Sequence, residues 1–215
     1  MGMLKLASRM SSSCSLSAYE SADVPSAAPL LLIVLVGIPG SGKSTFARLI
    51  EEEVTDTARR WCRVSQDVLG SRRSCIVTAE RALRKGEHLL IDRCNFDETQ
   101  RAHWLRLQSS KQPDFKLAIV LPVAVNEAKH RVLSRGLHEG GVDKISMSER
   151  KIAGIVSRMS RDLATPTLSE GFDEIMYVSS DPTKHVAHRQ AVLERIRNLA
   201  QPTDVPPPKP QTLSE

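Results

Sequence analysis

The sequence predicts an α/β fold of about five parallel strands with helices on both faces, a three-layer sandwich. Three observations predict it. Residues 30–36 are apolar without a break, the length of one strand buried on both faces. A glycine-rich turn follows at once, from Gly37 to Ser44. Short apolar runs then alternate with amphipathic segments, the pattern of parallel strands joined by right-handed helical crossovers.

The elements follow in order. Residues 30–36 read as the first strand. Residues 43–55 read as the first helix, with Phe46, Leu49, Ile50 and Val54 on one face. A short second strand spans 61–64. A helix over 74–85 is closed by Gly86, and 87–92 forms a third strand on Leu89, Leu90 and Ile91. Residues 98–108 are helical. The fourth strand, 115–121, is ended by Pro122. A helix over 125–134 stops at Gly136, residues 136–147 form a loop, and a helix over 148–163 begins at Ser148. A fifth strand at 174–178 and a last helix at 184–199 complete the pattern. In such sheets ligands bind at the carboxyl ends of the strands, so chemistry belongs just after each one.

The 215 residues suffice for one such unit with a sizeable core. Aromatic residues make up only 4%, so that core rests on Leu, Ile, Val and Ala. No apolar run approaches the roughly 18 residues of a membrane span, and no membrane partner is expected. Cys14, Cys62, Cys75 and Cys94 form no C-x-x-C pair and read as free thiols. Residues 1–29 are rich in Ser and Ala, and no acid precedes Glu20. With only Lys5 and Arg9 as bases, a disordered tail is expected rather than a transit peptide. Nucleus or cytoplasm is the expected location, with the mitochondrion as the alternative. Residues 201–215 hold five prolines and favour an extended disordered tail, with docking to a small adaptor domain as its alternative role.

Gly37-Ile38-Pro39-Gly40-Ser41-Gly42-Lys43-Ser44 is the G-x-x-x-x-G-K-[ST] phosphate-binding pattern. Placed between strand and helix, it predicts a P-loop NTPase-type sandwich that binds ATP. The nucleotide would lie on Gly37, Gly40, Ser41, Gly42, Lys43, Ser44 and Thr45. The glycines let successive N–H groups face phosphate oxygens, and Lys43 reaches the β- and γ-phosphates. Ser44 can ligate Mg²⁺. Asp92 closes the apolar run Leu89-Leu90-Ile91 and is placed to support the same ion; the alternative is a cap for the next turn. Asp67 follows the second strand, where a phosphotransferase needs a carboxylate to take the proton of the attacking hydroxyl. Its position alone equally suits a turn or N-cap aspartate.

Asp67 with Leu69-Gly70-Ser71, the block Ile91-Asp92-Arg93-Cys94-Asn95-Phe96-Asp97, Arg101, and Pro166-Thr167-Leu168-Ser169-Glu170-Gly171-Phe172 occur in one order. Over roughly residues 31–179 they resemble the kinase domain of eukaryotic polynucleotide kinase-phosphatases. They are also similar to the kinase-like domain of plant aprataxin-like proteins, where Asp-Arg-Cys-Asn and a His-Glu-Gly lid occur; here the latter is His138-Glu139-Gly140. The resemblance implies an ATP- and Mg²⁺-dependent kinase for nucleic-acid 5′-hydroxyl ends in DNA or RNA repair or processing. It implies Asp67 as general base and Asp92 and Asn95 at the phosphate site. Arg101 would hold either its helix or the acceptor strand. Arg131 and Arg135 would serve as lid arginines, in a helical lid at about 131–147 of a domain spanning 30–200. The polynucleotide kinases carry Arg just before the catalytic Asp, and this chain has Gln66 there, as the aprataxin-like relatives do. There is no Asp-x-Asp-x-Thr phosphatase motif and no His-x-His-x-His triad, so only the kinase module is expected.

From Lys129 to Arg161, eight Lys and Arg stand against three acids. Such a window reads either as a phosphate-binding lid or as a solvated basic face. Arg72 and Arg73, just past Asp67, are the better placed to meet an acceptor strand. Trp61 and Trp104 lie within elements and read as core, with base stacking as the alternative. Two other function classes stay open beside the nucleic-acid kinase: a small-molecule kinase of the same architecture, and a non-catalytic, nucleotide-dependent adaptor.

Overall fold

The computed structural model describes residues 28–55, 57–134 and 147–202. The expected N-terminal tail, the Pro-rich tail from 203 onward, and the lid residues 135–146 lie outside the described residues. Ala28, just ahead of the first strand, is buried, and its carbonyl accepts from Arg59 Nε and Nη2 at 3.2 and 3.1 Å.

Five strands form one parallel sheet in the order β2-β3-β1-β4-β5, namely β1 (Leu31–Val36), β2 (Trp61–Ser65), β3 (His88–Asp92), β4 (Phe115–Val120) and β5 (Glu174–Tyr177). β1 sits in the middle with all six residues buried, as its unbroken apolar run requires. Its odd and even positions serve different faces. Leu32, Val34 and Val36 pack against α3 (Arg72–Lys85) and α4 (Glu98–Leu105) through Cys75, Ala79, Leu83 and Trp104. Ile33 and Leu35 pack against α1 (Lys43–Glu53) and α7 (Pro182–Ala200) through Phe46, Ile50, Val192 and Ile196. Truncating Leu32, Ile33 or Leu35 to Ala would cost about 2–5 kcal/mol.

A third cluster lies off the sheet. α5 (Val125–Ser134) and α6 (Glu149–Arg161) pack together through Ala128, Val132, Ile152 and Val156, and Ile38 of the glycine loop joins them. These two helices are thereby anchored on the loop itself. Gly40 shows how closely: its φ is +85°, and a Cβ there would lie 2.5 Å from the Ala128 carbonyl oxygen.

Most element ends fall within one to three residues of the expectation, where capping decides. Ser71 caps α3 by accepting from Ser74 N at 3.0 Å, and Asp97 caps α4 by accepting from Gln100 N at 2.7 Å. One helix was not expected: Gln66–Leu69 forms a single turn, α2, closed by Gly70. Another short turn, Leu168–Glu170, carries a capping box with Thr167. Trp61 and Trp104 serve the fold. Trp104 is fully buried, and half-buried Trp61 donates to the Val54 carbonyl at 2.9 Å. Cys62, Cys75 and Cys94 carry free thiols, as expected; Cys14 lies outside the described residues.

His88 is the buried titratable group of this core. Its Nδ1 accepts from Leu31 N at 3.1 Å, and its Nε2 is buried without a partner. Burial, aided by the Arg59 charge, lowers its pKa to about 4, so the ring is neutral in the folded state. The unfolded chain binds that proton near pH 6.5. Between these values the unfolded state holds more protons, so stability falls as pH drops from about 6.5 toward 4. Urea unfolding from pH 7 to pH 4.5 should show this loss, approaching about 1.4 kcal/mol per unit. His88→Asn, which keeps an acceptor for Leu31, should flatten that part of the profile. Parallel profiles for the two proteins would contradict the assignment.

Candidate functional site

Connections leave β1 toward one edge of the sheet and β3 toward the other, so a crevice opens at the carboxyl ends beside β1. A cleft of about 780 Å³ lies there. The glycine loop, Lys43, Ser44 and Thr45 line it with Asp67, Asp92, Arg93 and Arg131.

The loop is built to take an anion. α1 begins at Gly42, whose φ of +95° suits only glycine, and no side chain caps the helix. No acid occupies its first turn. The uncapped N–H groups and the positive end of the helix dipole therefore face the cleft unneutralised. Lys43 is buried and curls back, donating to the Ile38 carbonyl at 2.9 Å and to Ser41 Oγ at 3.3 Å. An arriving phosphate would exchange those neutral acceptors for a charged one.

Asp92 is no turn cap. Its Oδ1 accepts from Ser44 Oγ at 3.3 Å, and its Oδ2 accepts from Arg63 Nε and Nη2 at 3.1 and 2.6 Å. Arg63 also approaches Glu51 of α1 at 3.6 Å. Ser44 Oγ and Asp92 Oδ1 are a hard-oxygen pair of the kind that suits Mg²⁺ completed by water and substrate phosphates. Among the described residues no cluster of three or more His, Cys, Asp and Glu makes a fuller metal cage.

Asp67 lies in the first turn of α2, exposed, on the cleft wall. The cap of the next helix is Ser71, so Asp67 is released from the capping role that its position alone allowed. Arg72 and Arg73 are exposed in the first turn of α3 and do not line the cleft. Arg72 Nη1 instead lies 3.1 Å from His103 Nε2. Burial, then Arg72 and Arg93, lower the His103 pKa, leaving its Nε2 free to accept from Arg72. Arg131 reaches the cleft and pairs with Glu127 at 2.8 Å on its own helix. Arg135 and His138-Glu139-Gly140 lie outside the described residues.

Two residues expected at the site, Asn95 and Arg101, have their side chains engaged by the fold. Asn95 is fully buried at φ +46°. Its Nδ2 donates to the carbonyls of Leu35 and Arg93 at 2.8 and 3.2 Å, and its Oδ1 accepts from Trp104 Nε1 at 2.8 Å. That amide is spent on the fold. Arg101 is 1% exposed and forks onto Glu170 at 2.7 and 2.8 Å; it also donates to the carbonyls of Asn95 and Ala164. It holds the helix and not an acceptor strand. Burial would raise the Glu170 pKa, but the hydrogen bonds from Arg101 and Thr167 outweigh it and hold the carboxyl below its usual value.

Several residues in or behind the cleft escaped the sequence reading. Arg63 is one; its signal is an arginine in β2 on the face that β3 gives to Asp92. Arg93 was legible inside Asp-Arg-Cys-Asn but received no role. His185 and Arg189 of α7 also line the cleft, from the side of α1. Nothing in their spacing marked them.

The family model for chromatin-associated protein KTI12 matches residues 30–102. The chain is 32% identical over 157 residues to "Transcription factor bHLH140" of Arabidopsis thaliana, an alignment covering 70% of this chain and 16% of that protein. It is 29% identical over 144 residues to the "Bifunctional polynucleotide phosphatase/kinase" of Schizosaccharomyces pombe, covering 67% and 32%. The chain thus spans a third or less of these curated relatives. Among solved structures, a fungal RNA kinase superposes with a TM-score of 0.60 at 12% identity, over 80% of this chain and 88% of that one. The resemblance to the polynucleotide kinase-phosphatases therefore extends beyond the motifs, and the fold is that of the P-loop kinases.

The buried Arg101–Glu170 pair and the exposed Arg131–Glu127 pair should respond very differently to truncation. Arg101→Ala strands a buried carboxylate and should lower the unfolding free energy in urea by about 3–5 kcal/mol. Arg131→Ala should cost less than about 0.5 kcal/mol. Equal losses would contradict the burial argument.

Proposed function

We propose that the protein is an ATP-dependent kinase that phosphorylates the 5′-hydroxyl of nucleic-acid ends, in DNA or RNA repair or processing. The observation that carries this reading is that Asp67 shares one cleft with Lys43, Ser44 and Asp92. A switch or motor NTPase would need a group to position water; a carboxylate at this wall suits a hydroxyl acceptor. The S. pombe relative and the fungal RNA kinase carry nucleic-acid kinase names, which supports the same acceptor class. The kinase module is taken as residues 30–200 with a lid at about 131–147, in which Arg131 and Arg135 would meet the transferred phosphate.

Each residue has a step. The glycine loop and the α1 N-terminus hold the β- and γ-phosphates of ATP. Asp67 takes the proton of the attacking hydroxyl as the new O–P bond forms and the bond to the β–γ bridging oxygen breaks. Lys43 leaves the Ile38 carbonyl and neutralises charge gathering on the β-phosphate side. Ser44 and Asp92 would hold Mg²⁺, which screens phosphate charge and aligns the leaving group. Arg63 keeps the Asp92 carboxylate oriented while Asp92 Oδ1 faces Ser44.

A second reading is a nucleotide-dependent adaptor, favoured by the match to a chromatin-associated family across the glycine loop and Asp92. The two readings separate on Asp67. Labelled ATP is incubated with 5′-hydroxyl DNA and RNA oligonucleotides and wild type, Asp67→Asn or Lys43→Ala. The kinase reading expects wild type to label the ends and Asp67→Asn to fall by about 10²–10⁴ in turnover while keeping ATP affinity. Lys43→Ala should lose both. Failure of wild type with DNA and RNA acceptors of several structures, with partner binding that needs Lys43 and ignores Asp67, would leave the adaptor.

A further inference from the structure

Four buried side-chain atoms lack a hydrogen-bond partner among the described residues: Gln66 Oε1, His88 Nε2, Arg93 Nη1 and Arg189 Nε. His88 belongs to the core, and the other three residues line the cleft. A buried donor or acceptor left unmade costs about 1–3 kcal/mol, more when charged, so such atoms call for a ligand.

The three do not sit together. Arg189 is on α7, which covers the same sheet face as α1, next to the glycine loop's helix. Gln66 and Arg93 belong to the other side. Gln66 precedes Asp67 in α2, and Arg93 follows Asp92 at the end of β3. The Arg93 guanidinium lies 5.5 Å from the centroid of buried Trp104 on α4, which holds its plane. Its charged neighbours are Arg72 and Asp67. Burial pushes its pKa down, yet a guanidinium stays protonated, so a half-buried positive group lines the cleft beside the proposed base with its Nη1 unbonded. Behind it Arg72 is held by His103.

We infer that Gln66 and Arg93 form a subsite for a phosphate carried by the acceptor next to its reacting hydroxyl. This rests on the kinase reading for the hydroxyl, and it narrows the acceptor to a phosphate-bearing chain, a nucleotide 5′-end with its first phosphodiester. Arg93 donates to the phosphate oxygens. Gln66 Oε1 accepts from an O–H or N–H of the same nucleotide. A metabolite without a phosphate would leave Arg93 Nη1 short of a charged acceptor.

The test measures binding and transfer in the same samples. A short 5′-hydroxyl oligonucleotide, dye-labelled at its 3′-end, is titrated by anisotropy with wild type, Arg93→Gln and Arg93→Lys, and fluorescent ATP is titrated in parallel. Arg93→Gln should weaken the oligonucleotide at least tenfold and lower the slope of log K against log salt by about one, with ATP affinity within twofold. If Arg93→Gln loses ATP binding as well, Arg93→Lys decides: weaker oligonucleotide with ATP retained supports the subsite, and equal loss of both overturns it. Unchanged oligonucleotide affinity, a loss confined to ATP, or no binding by wild type also overturns it. Label transfer is read separately. Binding that depends on Arg93 without transfer to any acceptor would sink the kinase reading and leave the subsite standing. Transfer that ignores Arg93 would do the reverse.

Discussion

The site depends on one buried amide. Asn95, at a positive φ that its short polar side chain tolerates, ties the end of β1 through the Leu35 carbonyl and fixes its own loop through the Arg93 carbonyl. It also accepts from Trp104 of α4. Gly37 N donates to the Cys94 carbonyl at 3.0 Å, so the glycine loop is hung from the same turn. Arg101 extends the network by binding the Asn95 carbonyl and Glu170. The segment that leaves α6 is thereby fastened under the phosphate loop. Because Asn95, Arg101 and Trp104 are buried and paired, the network fixes loop geometry without any ligand in place.

From that frame the cleft divides by sheet face. α1 and α7 flank the donor side, with the uncapped helix end, Lys43, His185 and Arg189. α2, α3 and α4 flank the other side, with Asp67, Gln66 and Arg93. Asp92 stands between them, held by Arg63 and facing Ser44. The anchoring of α5 and α6 on Ile38 links the position of this helix pair to the geometry of the loop. The proposed kinase reaction would use such a division, with the phosphate passing from one side to the other.

Much of this was legible in the sequence. The strand order of chemistry, the glycine loop and the place of Asp67 and Asp92 follow from apolar runs and turn residues, which are local signals. Trp104 was legible as core for the same reason. What failed was telling a polar residue that binds a ligand from one that binds the fold. Asn95 and Arg101 stand in motif positions, and only their long-range partners, 60 and 69 residues away in Leu35 and Glu170, reveal a structural role. Arg63 was hidden likewise, since its contact with Asp92 crosses two strands. Arg93 is the converse case. Its importance lies in a partner it lacks, and a sequence cannot display that.

The central claim is that one cleft holds the ATP γ-phosphate and an acceptor hydroxyl on opposite sides, with Asp67 at the hydroxyl. A crystal structure with Mg²⁺, a non-hydrolysable ATP analogue and a short 5′-hydroxyl oligonucleotide tests it most directly. The account predicts the 5′-oxygen within hydrogen-bond reach of Asp67, about 2.6–3.2 Å, and in line with the γ-phosphorus and its bridging atom. A 5′-end bound elsewhere, or Asp67 turned from the cleft while the analogue fills the loop, would contradict it.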